Sequence, residues 1–144
     1  MTEAQSMAYG AALLRIALGV AALAHGLVLK VLTFGVMGTV GYFESIGFPA
    51  IVAYAVIFGE IAGGLALITG VYQRLAAVLM IPILIGATLQ HAGNGWVFSG
   101  AGGGWEFPAM WTVLLAASAL VGPGAYALKA PFLPELPLPK ALAR

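Results

Sequence analysis

The sequence predicts an all-α protein, a four-transmembrane-helix bundle with a short amphipathic interfacial helix after the first span, and three observations predict it. First, 62% of the 144 residues are hydrophobic and only 8% are charged, with a mean hydropathy of +1.03. Soluble domains carry about 25% charged residues, so this chain could not cover a water-facing surface. Second, four apolar runs come close to the roughly 20 residues that cross a bilayer, for which about 17 is the lower limit. Third, ionisable residues interrupt those runs only singly, as expected where each one must pair or function. Residues 1–144 read as a single membrane domain.

The first span covers about residues 8–29. Ala22-Leu23-Ala24 resembles a signal-peptide cleavage site, but Glu3 occupies the region where basic residues belong and Arg15 breaks the apolar stretch. The segment therefore reads as a retained helix. In the following loop, Val40, Phe43 and Gly47 recur at helical spacing with Glu44 on a neighbouring face, the pattern of a short helix lying in the interface. The second span, about 50–71, opens after Pro49, a residue suited to helix starts. The third, about 75–91, follows the short turn Tyr72-Gln73-Arg74 and contains Pro82, which predicts a kink. The fourth, about 105–121, stops at Gly122-Pro123-Gly124. Pro131, Pro134, Pro137 and Pro139 make 125–144 a Pro-rich, extended cytoplasmic tail.

Loop Lys and Arg set the orientation. Arg74, Lys129, Lys140 and Arg144 fall on the side of the N-terminus, and Lys30 alone falls on the other. Both termini are expected in the cytoplasm of a bacterium, with the chain in its inner membrane. The outer face then holds two loops rich in glycine and aromatic residues, 30–49 and 93–104, which read either as an interfacial aromatic belt or as a lid over a pocket.

Arg15 and Glu60 lie deepest, about 10 Å and 15 Å from the ends of their helices at 1.5 Å per residue. A lone charge at that depth costs at least about 2.5–3.5 kcal/mol. Pairing between antiparallel neighbours is the cheapest remedy, so Arg15–Glu60 is the expected structural ion pair. Glu60 also has a catalytic reading, as a group that exchanges a proton with a bound ligand. Gly59 and Gly63 form a small-xxx-small pattern that permits close helix contact. His25 and His91, the two histidines, are expected at similar depth in the outer half. They read as solvated interfacial residues, or as hydrogen-bonding partners of a polar headgroup. Lys30 also reads as a snorkelling anchor, and Glu106 as a complement to the dipole of the fourth helix.

His25, Lys30, Glu44, His91, Asn94 and Glu106 all map to the outer half, with Glu60 below them and Arg15 deeper still. Polar groups converging on one end of an apolar bundle make a pocket for an amphipathic small molecule. A quinone, with an apolar tail and two carbonyls, fits that description and is the expected substrate. No tightly bound cofactor is expected. The absence of Cys and Asp excludes disulfides and thiolate chemistry, no ligand spacing supports a metal, and bis-histidine haem is permitted by the bundle but required by nothing. A net charge of +1 gives no basis for binding nucleic acid. The expected surroundings are the lipid bilayer, a periplasmic or membrane redox partner, or further copies of this chain.

The runs Leu14-Arg15, His25-Gly26, Lys30, Phe43-Glu44-Ser45-Ile46-Gly47-Phe48-Pro49, Gly59-Glu60, Gly63-Gly64 and Arg74-Leu75-Ala76-Ala77 follow one another in a recognisable order. Continued by His91, Asn94-Gly95, Glu106-Phe107-Pro108 and Gly122-Pro123-Gly124, they resemble the DoxX family from about Leu13 to Gly124. The resemblance implies a four-helix inner-membrane protein linked to quinone-dependent oxidation, acting as an oxidoreductase or as a subunit whose catalytic partner is separate. It places Arg15, His25, Glu60 and His91 at the family's polar positions. The lack of a cofactor fingerprint favours a quinone-interacting subunit. The alternatives are a non-catalytic anchor or assembly factor for a redox complex and, with four helices and no inverted repeat against it, a small-molecule transporter.

Overall fold

The computed structural model describes residues 1–128, and among these the chain is all-α. Helix α1 (Glu3–Leu23) continues without a break into a π-helical segment, Ala24–Thr33. Helix α2 (Val36–Ser45) is short. Helices α3 (Ala50–Thr69), α4 (Gln73–His91) and α5 (Glu106–Val121) complete the chain, with a single 3₁₀ turn, Ala92–Asn94, after α4. The tail expected over 125–144 lies outside the described residues beyond 128.

Three helical stretches are long and apolar enough to cross a membrane: Glu3–Thr33, Ala50–Thr69 and Gln73–Asn94. Helix α5 is apolar but has only 16 residues, about 24 Å at 1.5 Å per residue. The first helix begins five residues earlier than its apolar run because Thr2 caps it. The Thr2 hydroxyl accepts from the Gln5 backbone N–H at 3.2 Å, and the Gln5 side chain returns the bond at 2.9 Å. Such a capping box satisfies two otherwise unpartnered donors. The helix also runs past the expected end at 29, where i+5 bonds such as Phe34 N–H to Leu29 O at 2.8 Å replace the α pattern.

The four long elements close into a ring, α1 beside α3 and α5, and α4 beside α3 and α5. Leu18, Ala22, Leu67, Met80, Trp111 and Leu115 fill the centre. Large apolar side chains such as Leu13, Phe58, Leu79 and Val113 stay on the outside, as a lipid-facing bundle requires. Helix α2 packs across α3 and the π segment, burying Thr39 and Val40 and leaving Glu44 exposed.

Glycines set the distance between helices. A Cβ on Gly19 would sit 2.7 Å from the backbone oxygen of Gly64, and one on Gly64 would sit 2.9 Å from that of Gly19. Gly59 and Gly63 instead receive Ile83 and Met80 from α4. The small-residue pattern on α3 therefore serves α4, and its neighbour Gly64 serves α1.

At the end of the bundle nearest the N-terminus, Arg15 is fully buried. Its guanidinium donates to the carbonyls of Leu67 (2.9 Å), Pro123 (2.7 Å), Ala125 (2.9 Å) and Ile68. Leu67 and Ile68 are among the last carbonyls of α3, which lack helical partners and form the negative end of its dipole. Among the described residues Arg15 is met there by backbone carbonyls and by no carboxylate. The segment after α5 is drawn across this end, where Ala125 N–H bonds Ala8 O and Leu128 N–H bonds Thr69 O, both at 2.9 Å.

The close α1–α3 crossing yields a prediction. Gly19→Ala forces backbone apart and should cost about 1–3 kcal/mol, the usual range for overpacking. Gly10→Ala meets nothing within 4 Å and should gain about 0.5–1 kcal/mol from helix propensity. Unfolding of both variants in detergent, compared with wild type, checks the contrast.

Candidate functional site

Glu60 is buried in the middle of α3, and its partner is Lys30 rather than Arg15. Lys30 Nζ lies 2.7 Å from one carboxylate oxygen and 2.9 Å from the other. The expected Arg15–Glu60 pair fails on register. Arg15 is level with Leu67 and Ile68, seven and eight residues along α3 from Glu60, or about 10–12 Å at 1.5 Å per residue. Glu60 is instead level with Gly26, where a Cβ would lie 2.7 Å from the Glu60 Cβ. The missing side chain at 26 is what lets α3 bring its carboxylate against the first helix.

The π segment decides where Lys30 points. In an α-helix, residues five apart diverge by about 140° around the axis. Under i+5 hydrogen bonding they come onto one face, so His25 and Lys30 share a side. The backbone carbonyl of Lys30 accepts from the buried Thr39 hydroxyl at 2.9 Å, which ties α2 to the end of the first helix. Lys30 is thus half of a desolvated pair rather than a snorkelling anchor.

His25 packs among aromatic rings from α5. Its ring centroid is 5.2 Å from that of Trp111, at 63°, and 6.1 Å from that of Phe107, at 22°. Phe107 and Trp111 are 5.6 Å apart, and Phe98 of the loop before α5 lies 6.3 Å from Phe107. Among the described residues, the imidazole makes no hydrogen bond.

His91 and Glu106 do different work. His91 Nδ1 faces the carbonyls of Gly102 and Gly103, both at 3.1 Å. Carbonyls only accept, so this nitrogen carries the proton. Asn94 donates to Gly102 O at 2.8 Å, and Glu106 accepts from Phe98 N–H at 3.0 Å. Together they fold the 92–105 loop over the end of the bundle. Glu44 stands apart on the exposed side of α2.

Of the expected site residues, the structure joins Lys30 to Glu60 and sets His25 on the same π segment as Lys30, against α5. It assigns His91 and Glu106 to the loop and Arg15 to the opposite end. Sequence reasoning missed Thr39, Phe107 and Trp111. The last two stand four apart on an apolar helix, one face of α5, which was the available signal.

The buried pair predicts a non-additive cycle. Lys30→Met leaves a buried carboxylate unpaired and should cost about 3 kcal/mol, whereas Lys30→Met with Glu60→Leu should recover most of that loss. Denaturation of the two single variants and the double variant in one detergent measures the coupling.

The DoxX family model matches residues 10–93, which include Arg15, His25, Lys30, Glu44, Glu60 and His91 but not α5. A Bacillus subtilis (strain 168) protein described as "Putative oxidoreductase CatD" is 35% identical over 85 residues, 59% of this chain. The match spans 61% of that relative's length. No solved structure matches. With the family model covering more than half of the sequence over three apolar helical stretches, this chain is a membrane protein of the DoxX family.

Proposed function

We propose that this chain is a quinone- or quinol-interacting subunit of a membrane redox system, with the headgroup bound at His25 beside the Lys30–Glu60 pair. One observation carries the reading: a part-buried Lys30–Glu60 ion pair and, five residues before Lys30 on the same π segment, an imidazole that makes no hydrogen bond among the described residues. Quinone reduction and quinol oxidation move protons with electrons, so such a site needs an ionisable group at the headgroup. His25 binds and orients the ring, since imidazole can donate to a carbonyl or accept from a hydroxyl. Glu60, held by Lys30, accepts or returns the proton. Electrons come from a partner, because the chain has no cysteine and no cofactor fingerprint.

In the same reading α5 is the fourth span, tilted little because it is short. Lys30 is neutralised by Glu60, so among the described residues the loop end carries no other Lys or Arg, while Arg74 lies at the opposite end. The positive-inside bias then favours both termini in the cytoplasm of a bacterial inner membrane, with the site in the outer half. The relative's description as an oxidoreductase agrees with redox work, carried out in the whole assembly.

A second reading, a non-catalytic anchor or assembly factor, draws on the loop that His91 and Glu106 fix. That loop exposes Trp96, Val97 and Phe98, an apolar surface of the kind used for docking. In this reading a redox partner copurifies in mild detergent and no ligand enters the bundle.

The two readings separate in a binding assay with ubiquinone-1. His25→Ala should weaken binding at least about fivefold, the loss of one hydrogen bond of about 1 kcal/mol, and His91→Ala should leave it near wild type. Equal affinity in wild type and His25→Ala would remove His25 from the site.

A further inference from the structure

Trp111 is 3% exposed, and its indole Nε1–H has no hydrogen-bond partner among the described residues. A buried donor left unpaired costs about 1–3 kcal/mol, and native interiors contain few such groups. This one belongs to the ring that meets His25 edge-on, one helical turn beyond Phe107, which also packs on His25. The orphan donor and the imidazole without a hydrogen bond are therefore neighbours. Two unused polar groups on adjacent rings, set among the aromatic side chains of α5, match what a ligand with oxygen atoms on a flat apolar ring would need.

We infer that Trp111 is a recognition residue of this site, its Nε1–H donating to an oxygen of the bound headgroup. The inference rests on the quinone reading and sharpens its chemistry. Indole can donate but not accept, so Trp111 selects for an acceptor, a carbonyl or a hydroxyl lone pair, and gains nothing from a hydrocarbon or an ammonium. His25 takes either role, so it serves both quinone and quinol. The pair thus divides the work: Trp111 requires that an oxygen be present, and His25 follows its protonation.

Two probes that differ only in their oxygens test this, menadione (2-methyl-1,4-naphthoquinone) and 2-methylnaphthalene. Wild type should bind menadione at least about tenfold more tightly than the hydrocarbon. Trp111→Phe should weaken menadione about five- to tenfold and leave 2-methylnaphthalene within twofold of wild type. Replacement of Trp111 by benzothienylalanine, which keeps the shape of indole and lacks the N–H, should give the same result and guards against a folding defect in Trp111→Phe. Undiminished menadione affinity in the benzothienylalanine protein would overturn the inference and leave the His25 reading standing. Failure of wild type to bind either ubiquinone-1 or menadione would overturn both.

Discussion

The Lys30–Glu60 ion pair is the constraint around which the loop end of this bundle is organised. Neither charge could stand alone among apolar helices, since an unpaired one costs at least about 2.5–3.5 kcal/mol even on lenient scales. Satisfying that demand takes three local concessions. The first helix gives up α geometry over Ala24–Thr33 so that Lys30 turns to the side of His25. Residue 26 gives up its side chain so that α3 can approach. Helix α2 contributes the Thr39 hydroxyl to hold the Lys30 carbonyl. A hydrophobic pair of similar volume at positions 30 and 60 would stabilise the bundle nearly as well. The proposed headgroup site supplies a reason for keeping the charges at that structural cost.

Among the described residues, the opposite end solves the same electrostatic problem without acid. Arg15 is as buried as Glu60, yet its four acceptors are all backbone carbonyls. The planar fork of guanidinium suits that task in a way that an ammonium does not. Because α1, α3 and the segment after α5 all converge on it, Arg15 fixes where the helices stand relative to one another along the bundle axis. The α1–α3 register set by Arg15 against Leu67, and by Gly19 against Gly64, is the register that delivers Gly26 to Glu60. One end sets the alignment and the other uses it.

Much of this fold was legible in the sequence. Apolar runs, terminating glycines and prolines, and the helical spacing of Val40 and Phe43 located the helices to within a few residues. Depth was legible only roughly, and this is why Glu60 was given the wrong partner. Counting from span ends that were misjudged by several residues moved Arg15 toward Glu60, when the capping box at Thr2 and the π segment at the far end displaced both boundaries. No composition rule signals a π segment, so Lys30 read as a surface anchor five residues from His25. Trp111 was invisible for a different reason. An aromatic residue in an apolar helix is ordinary core, and only its orphaned Nε1 and its neighbour distinguish it. The DoxX family model ends at residue 93, so its match does not cover the α5 half of the site.

The proposed site places a ligand headgroup against the polar groups at Lys30–Glu60. Its most direct test is an experimental structure of the protein with ubiquinone-1 added. Headgroup density is expected among His25, Trp111 and the Lys30–Glu60 pair, with an oxygen within hydrogen-bond distance of at least one of these side chains. Density confined to the apolar groove between α3 and α4, lined by Phe58, Ala62, Leu79 and Met80, with the ion pair undisturbed, would contradict it.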